Sequence, residues 1–76
     1  MAVNYSFSVI LEPQDGGGFT ILVPALPEVV TEGETEEEAL ANAEEAIRAV
    51  LEYRQEHGLG VPSDDYPEVR RVTVAA

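Results

Sequence analysis

Cysteine and lysine are both missing from this chain of 76 residues, histidine occurs once, and arginine stands only at positions 48, 54, 70 and 71. Without cysteine there is neither a disulfide framework nor a thiolate metal site, which fits a reducing compartment such as the cytoplasm. His57 has no second imidazole with which to share a metal, so a zinc centre is not expected. Four basic residues against fifteen acids, a formal net charge of -11, leave too little positive charge to displace phosphate counterions. Direct nucleic-acid binding and attachment to an anionic membrane are therefore not expected. No apolar run approaches the ~20 residues that span a bilayer. The opening "MAVNYSFSVILE" lacks the basic segment, apolar core and small-residue cleavage site of a secretory signal.

What is present is an acidic surface on a small chain. Residues 1–76 are expected to form one domain, because chains divide into domains only at much greater length. So small a domain has a thin core, and self-association or a partner is a ready source of added stability. The charge keeps the chain soluble, and it also favours encounter with a basic protein.

Tyr5, Phe7 and Val9 alternate with Ser6 and Ser8, a period of two that reads as a strand from Tyr5 to Glu12. "PQDGGG" breaks regular structure. "FTILVPAL" is a second strand, Phe19 to Leu26, stopped near Pro24, and "VVTEGE" supplies a short third from Val29 to about Glu32. Such short connections force antiparallel pairing. Thr35 with Glu38 three residues on forms a capping box, and Glu36, Glu37 and Glu38 suit the positive end of the helix dipole. Leu40, Ala43, Ile47, Val50 and Leu51 then recur at intervals of three and four, widened by Ala39, Ala46 and Ala49. The helix is expected from about Glu36 to His57, ended by Gly58. After the loop "GLGVPSDDYPE", "VRRVTVAA" from Val69 reads as a last strand. The expected fold is α+β, order β-β-β-α-β: an antiparallel-rich sheet of about four strands with one long helix on one face.

Order and spacing together resemble the N-terminal domain of the HicB antitoxin family. The resemblance rests on Asp15, Gly16, Gly17 and Phe19 at the hairpin, and on Pro24, Leu26, Pro27, Thr31 and Gly33 in "P-x-L-P-x-x-x-T-x-G". At the helix start it rests on Thr35, Glu38, Ala39, Asn42 and Ala43. It covers roughly Tyr5 to Leu51 and extends through "PSDD". It implies a pared-down ribonuclease H-like fold without a working nuclease centre, and a role in blocking a small basic ribonuclease toxin called HicA. Complete antitoxins of this kind usually continue into a helix-turn-helix or ribbon-helix-helix segment. Here the sequence stops at Ala76, so operator binding by a separate DNA-binding domain is not expected.

No catalytic, cofactor or metal site is expected. A phosphate loop needs G-x-x-x-x-G-K-[ST] running into a helix, whereas "GGGFTILV" has no lysine and runs into a strand, so Gly16–Gly18 are read as a hairpin turn. Pro24 and Pro27 frame a bend where a sheet ladder needs no donor, or else a rigid rim for a partner. A Ser-His-Asp set would need His57 to converge with distant residues. Two-metal nuclease chemistry needs several converging carboxylates, but the acids cluster in "EGETEEE" and on the polar helix face as Glu44, Glu45, Glu52 and Glu56, with Glu12 at a strand end.

Edges and faces remain. Exposed edge strands invite pairing, Arg70 and Arg71 should fall on opposite faces of the last strand, and Tyr5 or Phe7 could occupy the face away from the helix. The expected resting form is a homodimer or a larger even-numbered assembly. The leading function is an antitoxin-like protein-binding module for a small basic toxin. The alternatives are a stand-alone oligomeric domain and a divergent ribonuclease H-like metal-dependent nuclease.

Overall fold

The computed structural model describes residues 4–64 and 66–76. Strands β1 (Ile10–Pro13), β2 (Phe19–Leu22) and β3 (Val30–Gly33) precede one helix, α1 (Glu36–Glu56). The strands form an antiparallel meander in the order β1-β2-β3, with Leu11 opposite Ile21 and Ile21 opposite Thr31. The architecture is the expected α+β with one long helix against the sheet, but among the described residues the sheet has three strands rather than four.

The first hairpin closes through Gly16, Gly17 and Gly18, all at positive φ (86°, 106° and 88°), a region that side-chain-bearing residues enter only with strain. Its loop is held by Gln14 N–H to the Gly18 carbonyl at 3.0 Å and by Gly17 N–H to the Gln14 carbonyl at 3.1 Å.

The second connection differs from the expectation. β2 stops at Leu22, and "VPALPEV" forms two successive β-turns. Leu26 N–H bonds to the Val23 carbonyl and Val29 N–H to the Leu26 carbonyl, each at 2.9 Å. Pro24 and Pro27 each occupy the second position of a turn, where their fixed φ is already correct. Val23, Leu26 and Val29, the corners of this double turn, are buried. The segment that reads as strand ends is therefore a plug for the core.

The core consists of Ile21, Val23, Leu26, Val29, Ala39 and Ala43, with Phe7, Val9, Leu11, Phe19, Ala46, Ile47 and Val50 packed around it. On α1 the inward stripe is centred on alanines 39, 43 and 46, so the helix lies close to the sheet, whereas Leu40 is largely exposed. Thr35 caps the helix, its Oγ1 accepting from the Glu38 N–H at 3.1 Å. Among the described residues the Glu38 side chain makes no return bond, so half of the capping box forms. Thr35→Ala is expected to lower stability by about 1 kcal/mol, visible as a shifted urea midpoint at unchanged slope.

The helix ends one residue earlier than expected, in a Schellman turn. Gly58, at φ 67°, donates to the Gln55 carbonyl at 3.3 Å, and Leu59 donates to the Arg54 carbonyl at 2.8 Å, the paired bonds of that motif.

Two further expectations fail. The β1 ladder covers only Ile10–Pro13, although Phe7 and Val9 keep the period of two and pack on the helix side. Tyr5 lines a shallow groove with Ile47 and Leu51 of α1, so neither it nor Phe7 lies on the opposite face. "VRRVTVAA" forms no ladder among the described residues. Its β-branched alternation suits a strand, but pairing requires a neighbour at the right edge, and local sequence does not supply one.

Candidate interaction surface

The residues that carry the family pattern turn out to build the frame. Leu26 is fully buried, Ala39 and Ala43 line the helix–sheet contact, and Phe19 packs against the core. Gly33 has a stricter duty: a Cβ there would lie 2.4 Å from the backbone nitrogen of Ala39. The Asn42 side-chain amide donates to the Glu32 carbonyl at 2.8 Å, fastening α1 to β3. Thr31 faces the helix with a buried hydroxyl that has no hydrogen-bond partner among the described residues. Asp15, Gly16 and Gly17 form the hairpin tip.

A second fastening closes the other end of the domain. Asp64, from the loop after the helix, accepts from Ser8 twice: from its N–H at 2.8 Å and from its hydroxyl at 2.7 Å. Of the quoted "PSDD" stretch, Asp65 lies outside the described residues. Arg54 reaches from α1 to the Glu28 carboxylate at 3.6 Å and donates to the Gly60 carbonyl at 3.2 Å, joining the helix end, the double turn and the following loop. His57 stacks on Tyr53 with ring centroids 4.1 Å apart, and its Nδ1 lies 2.8 Å from the Tyr53 carbonyl.

The cleft between the hairpin tip and the start of α1 is lined by Gln14, Phe19, Glu32, Glu34, Glu38 and Asn42 together with the glycines. Its lining carries three carboxylates, Glu32, Glu34 and Glu38, a negative setting that repels phosphate. Among the described residues no three of His, Asp and Glu converge to hold a metal ion.

What remains for recognition is surface. Glu36, Glu37, Glu44, Glu45, Glu52 and Glu56 all stand exposed on α1. Among the described residues ion pairs join Glu44 to Arg48, Glu28 to Arg54 and Glu68 to Arg70, against fifteen acids in the sequence. The result is a strongly negative helix flank. The face of the sheet away from α1 carries two cross-strand rows, Ile10–Leu22–Val30 and Glu12–Thr20–Glu32. One is apolar and one is acidic or polar, and Val30 is largely exposed. The face away from the helix is thus a mixed one, half apolar and half polar, composed of residues other than Tyr5 and Phe7.

Comparison with known proteins agrees with this geometry. Residues 7–71 match the family model described as the HicB_like antitoxin of bacterial toxin-antitoxin systems. The chain belongs to the HicB-like antitoxin family. Within it, the chain is 40% identical over 63 residues to the UPF0150 protein Ta0767 of Thermoplasma acidophilum, covering 83% of this chain and 91% of that protein. It is 35% identical over 71 residues to the protein named Antitoxin HicB 1 of Photorhabdus laumondii subsp. laumondii, covering 87% of this chain and 46% of that protein. The chain therefore spans about half the length of that HicB relative and nearly all of the shorter Thermoplasma one. The family points to an antitoxin role and so to a toxin partner. No described helix is long and apolar enough to cross a membrane.

The double turn was the feature least visible in the sequence. Its signal was present in the three-residue spacing of Val23, Leu26 and Val29 about two prolines, which is the period of linked turns rather than of a strand.

Proposed function

We propose that this HicB-like chain is a protein-binding antitoxin module of the cytoplasm that complexes and inhibits a small basic ribonuclease toxin of the HicA type, without catalysing a reaction itself. The observation that carries this reading is the acidic flank of α1, whose carboxylates are mostly unengaged by cations on a chain of net charge -11. A partner with the opposite surface potential is steered onto such a flank, and desolvated ion pairs then fix its register. Blocking a ribonuclease requires covering its active site, and a rigid two-layer domain can do this without chemistry of its own. RNA binding by this chain has no electrostatic support, since phosphate and carboxylate repel.

The test is titration of a purified HicA-type toxin with this protein, following RNA cleavage and heat of binding together. Inhibition at one-to-one stoichiometry is expected, with affinity falling by about tenfold or more between low and high salt as screening removes the charge attraction. Charge reversal at Glu44, Glu45 and Glu52 is expected to slow association more than it speeds dissociation. Uninhibited cleavage at saturating protein would sink the reading.

A further inference from the structure

We infer that residues 69–76 act as an exchanged strand: in a twofold dimer, the segment from each copy adds to the free edge of β1 in the other copy.

The segment has the composition of a strand and the environment of a loop. Val69, Val72 and Val74 are 84%, 83% and 78% exposed, which is a costly arrangement for three valines among eight residues. In extended form Arg70, Val72, Val74 and Ala76 share one face, and Val69, Arg71, Thr73 and Ala75 the other. The chain as a whole is also elongated. The radius of gyration is 14.7 Å and the longest extent 52 Å, against about 11 Å for the radius of a compact chain of this length.

Its own sheet offers it little. The β3 side is overlaid by the start of α1, where Gly33 meets Ala39 and Asn42 binds the Glu32 carbonyl. Just before β1, the Ser8 N–H is already taken by Asp64, so the chain's own return stops at that point. Tyr66 adopts φ 46°, a left-handed conformation that interrupts an extended path. α1 packs chiefly on β3 and β2, which leaves the outer edge of β1, Ile10–Pro13, without a cover from the helix.

A second copy satisfies these demands together. Added beside β1, one face of the segment continues the row Ile10–Leu22–Val30 and the other meets Leu11 on the helix side. Arg70 and Arg71 are two of only four basic residues, and with Val72 and Val74 continuing the apolar row, Arg70 would share the face of Glu12 and Glu32 while Arg71 falls on the opposite face. Each copy gives one strand and receives one, so the contact is self-complementary and closes at the dimer instead of growing into a fibre. The edge that would otherwise invite aggregation becomes occupied. This inference stands apart from toxin binding, and its test contains no toxin.

The test is sedimentation equilibrium of the full chain with hydrogen exchange of its backbone amides, on the natural protein and on the double variant Val72→Asp, Val74→Asp. Both valines are exposed in the single chain, so the variant should retain its helical circular dichroism. The natural protein is expected at twice the chain mass, with amides of residues 69–76 protected and that protection lost on dilution. The variant is expected to dimerise roughly 100-fold more weakly, from two lost valines at an interface. A natural protein that stays monomeric at high micromolar concentration overturns the inference, and so does tail protection that persists in the monomer, because the segment would then close on its own sheet. An unchanged dimer in the double variant overturns it as well. Should the variant fail to fold, the dilution dependence of tail exchange in the natural protein decides the matter.

Discussion

Gly33→Val is expected to lower the melting temperature by about 15 °C or more, a loss of at least ~3 kcal/mol for a domain of this size. A Cβ at Gly33 would sit 2.4 Å from Ala39 N, 2.7 Å from Ala39 Cα and 2.9 Å from Glu38 C. All three are backbone atoms in the first turn of α1, so no side chain can swing aside. The helix would have to lift from β3, which would also stretch the 2.8 Å bond from Asn42 to the Glu32 carbonyl. The branched Val Cγ atoms enlarge the clash beyond that of alanine. Gly60→Ala is the matched control: nothing lies within 4 Å of a Cβ there and its φ is not positive, so a change within about 0.5 kcal/mol is expected. Thermal unfolding followed at the helical circular dichroism band measures both. A Gly33→Val protein melting with the natural one would mean that the helix does not rest on β3 as closely as described.

The second large effect is expected at Leu26. Leu26→Ala should destabilise by about 3 kcal/mol, the sum of lost transfer energy and an unfilled cavity. Leu26 is fully buried at the corner shared by two turns. Its backbone is fixed by Pro24 and Pro27 on either side, so the site cannot collapse around a smaller side chain. In a domain whose total stability is only ~5–15 kcal/mol, that loss is a large fraction of the whole. Leu40→Ala is the contrast. Leu40 has the same chemistry but is 41% exposed on α1, and its truncation should cost less than about 1 kcal/mol. Urea titration distinguishes them, and equal midpoint shifts would contradict the burial assigned to each residue.

Elements with local causes were legible in the sequence. The helix came from its cap at Thr35, its first-turn acids and its stop at Gly58, all of which act within a few residues. The first hairpin came from glycines whose backbone freedom is a property of the residue itself. The period of two from Phe7 to Leu11 placed those side chains on one face even where no ladder forms. The family pattern was readable for the same reason: most of its residues serve turns, caps and close helix–sheet contact, which impose fixed residue types at fixed spacing.

The misreadings share one physical origin. "VPALPEV" looks like strand ends because Val and Leu favour strands, but the two prolines convert the spacing into turns. The stripe through Leu40 satisfied helical periodicity, yet the sheet meets α1 along Ala39, Ala43 and Ala46, so Leu40 falls outside the contact. "VRRVTVAA" has every local property of a strand and forms no ladder among the described residues.

By itself, then, the sequence determined the α+β class, the acidic character, the glycine hairpin turn, the helix cap and stop and the family, because propensity, charge and steric freedom belong to residues and near neighbours. The tertiary structure decided which helix stripe is buried, that Asp64 clamps Ser8 across 56 positions, which residues form the open sheet face, and that the last segment joins no ladder among the described residues. Those outcomes depend on contacts between distant parts of the chain, where several partners satisfy the same local pattern and only packing selects among them.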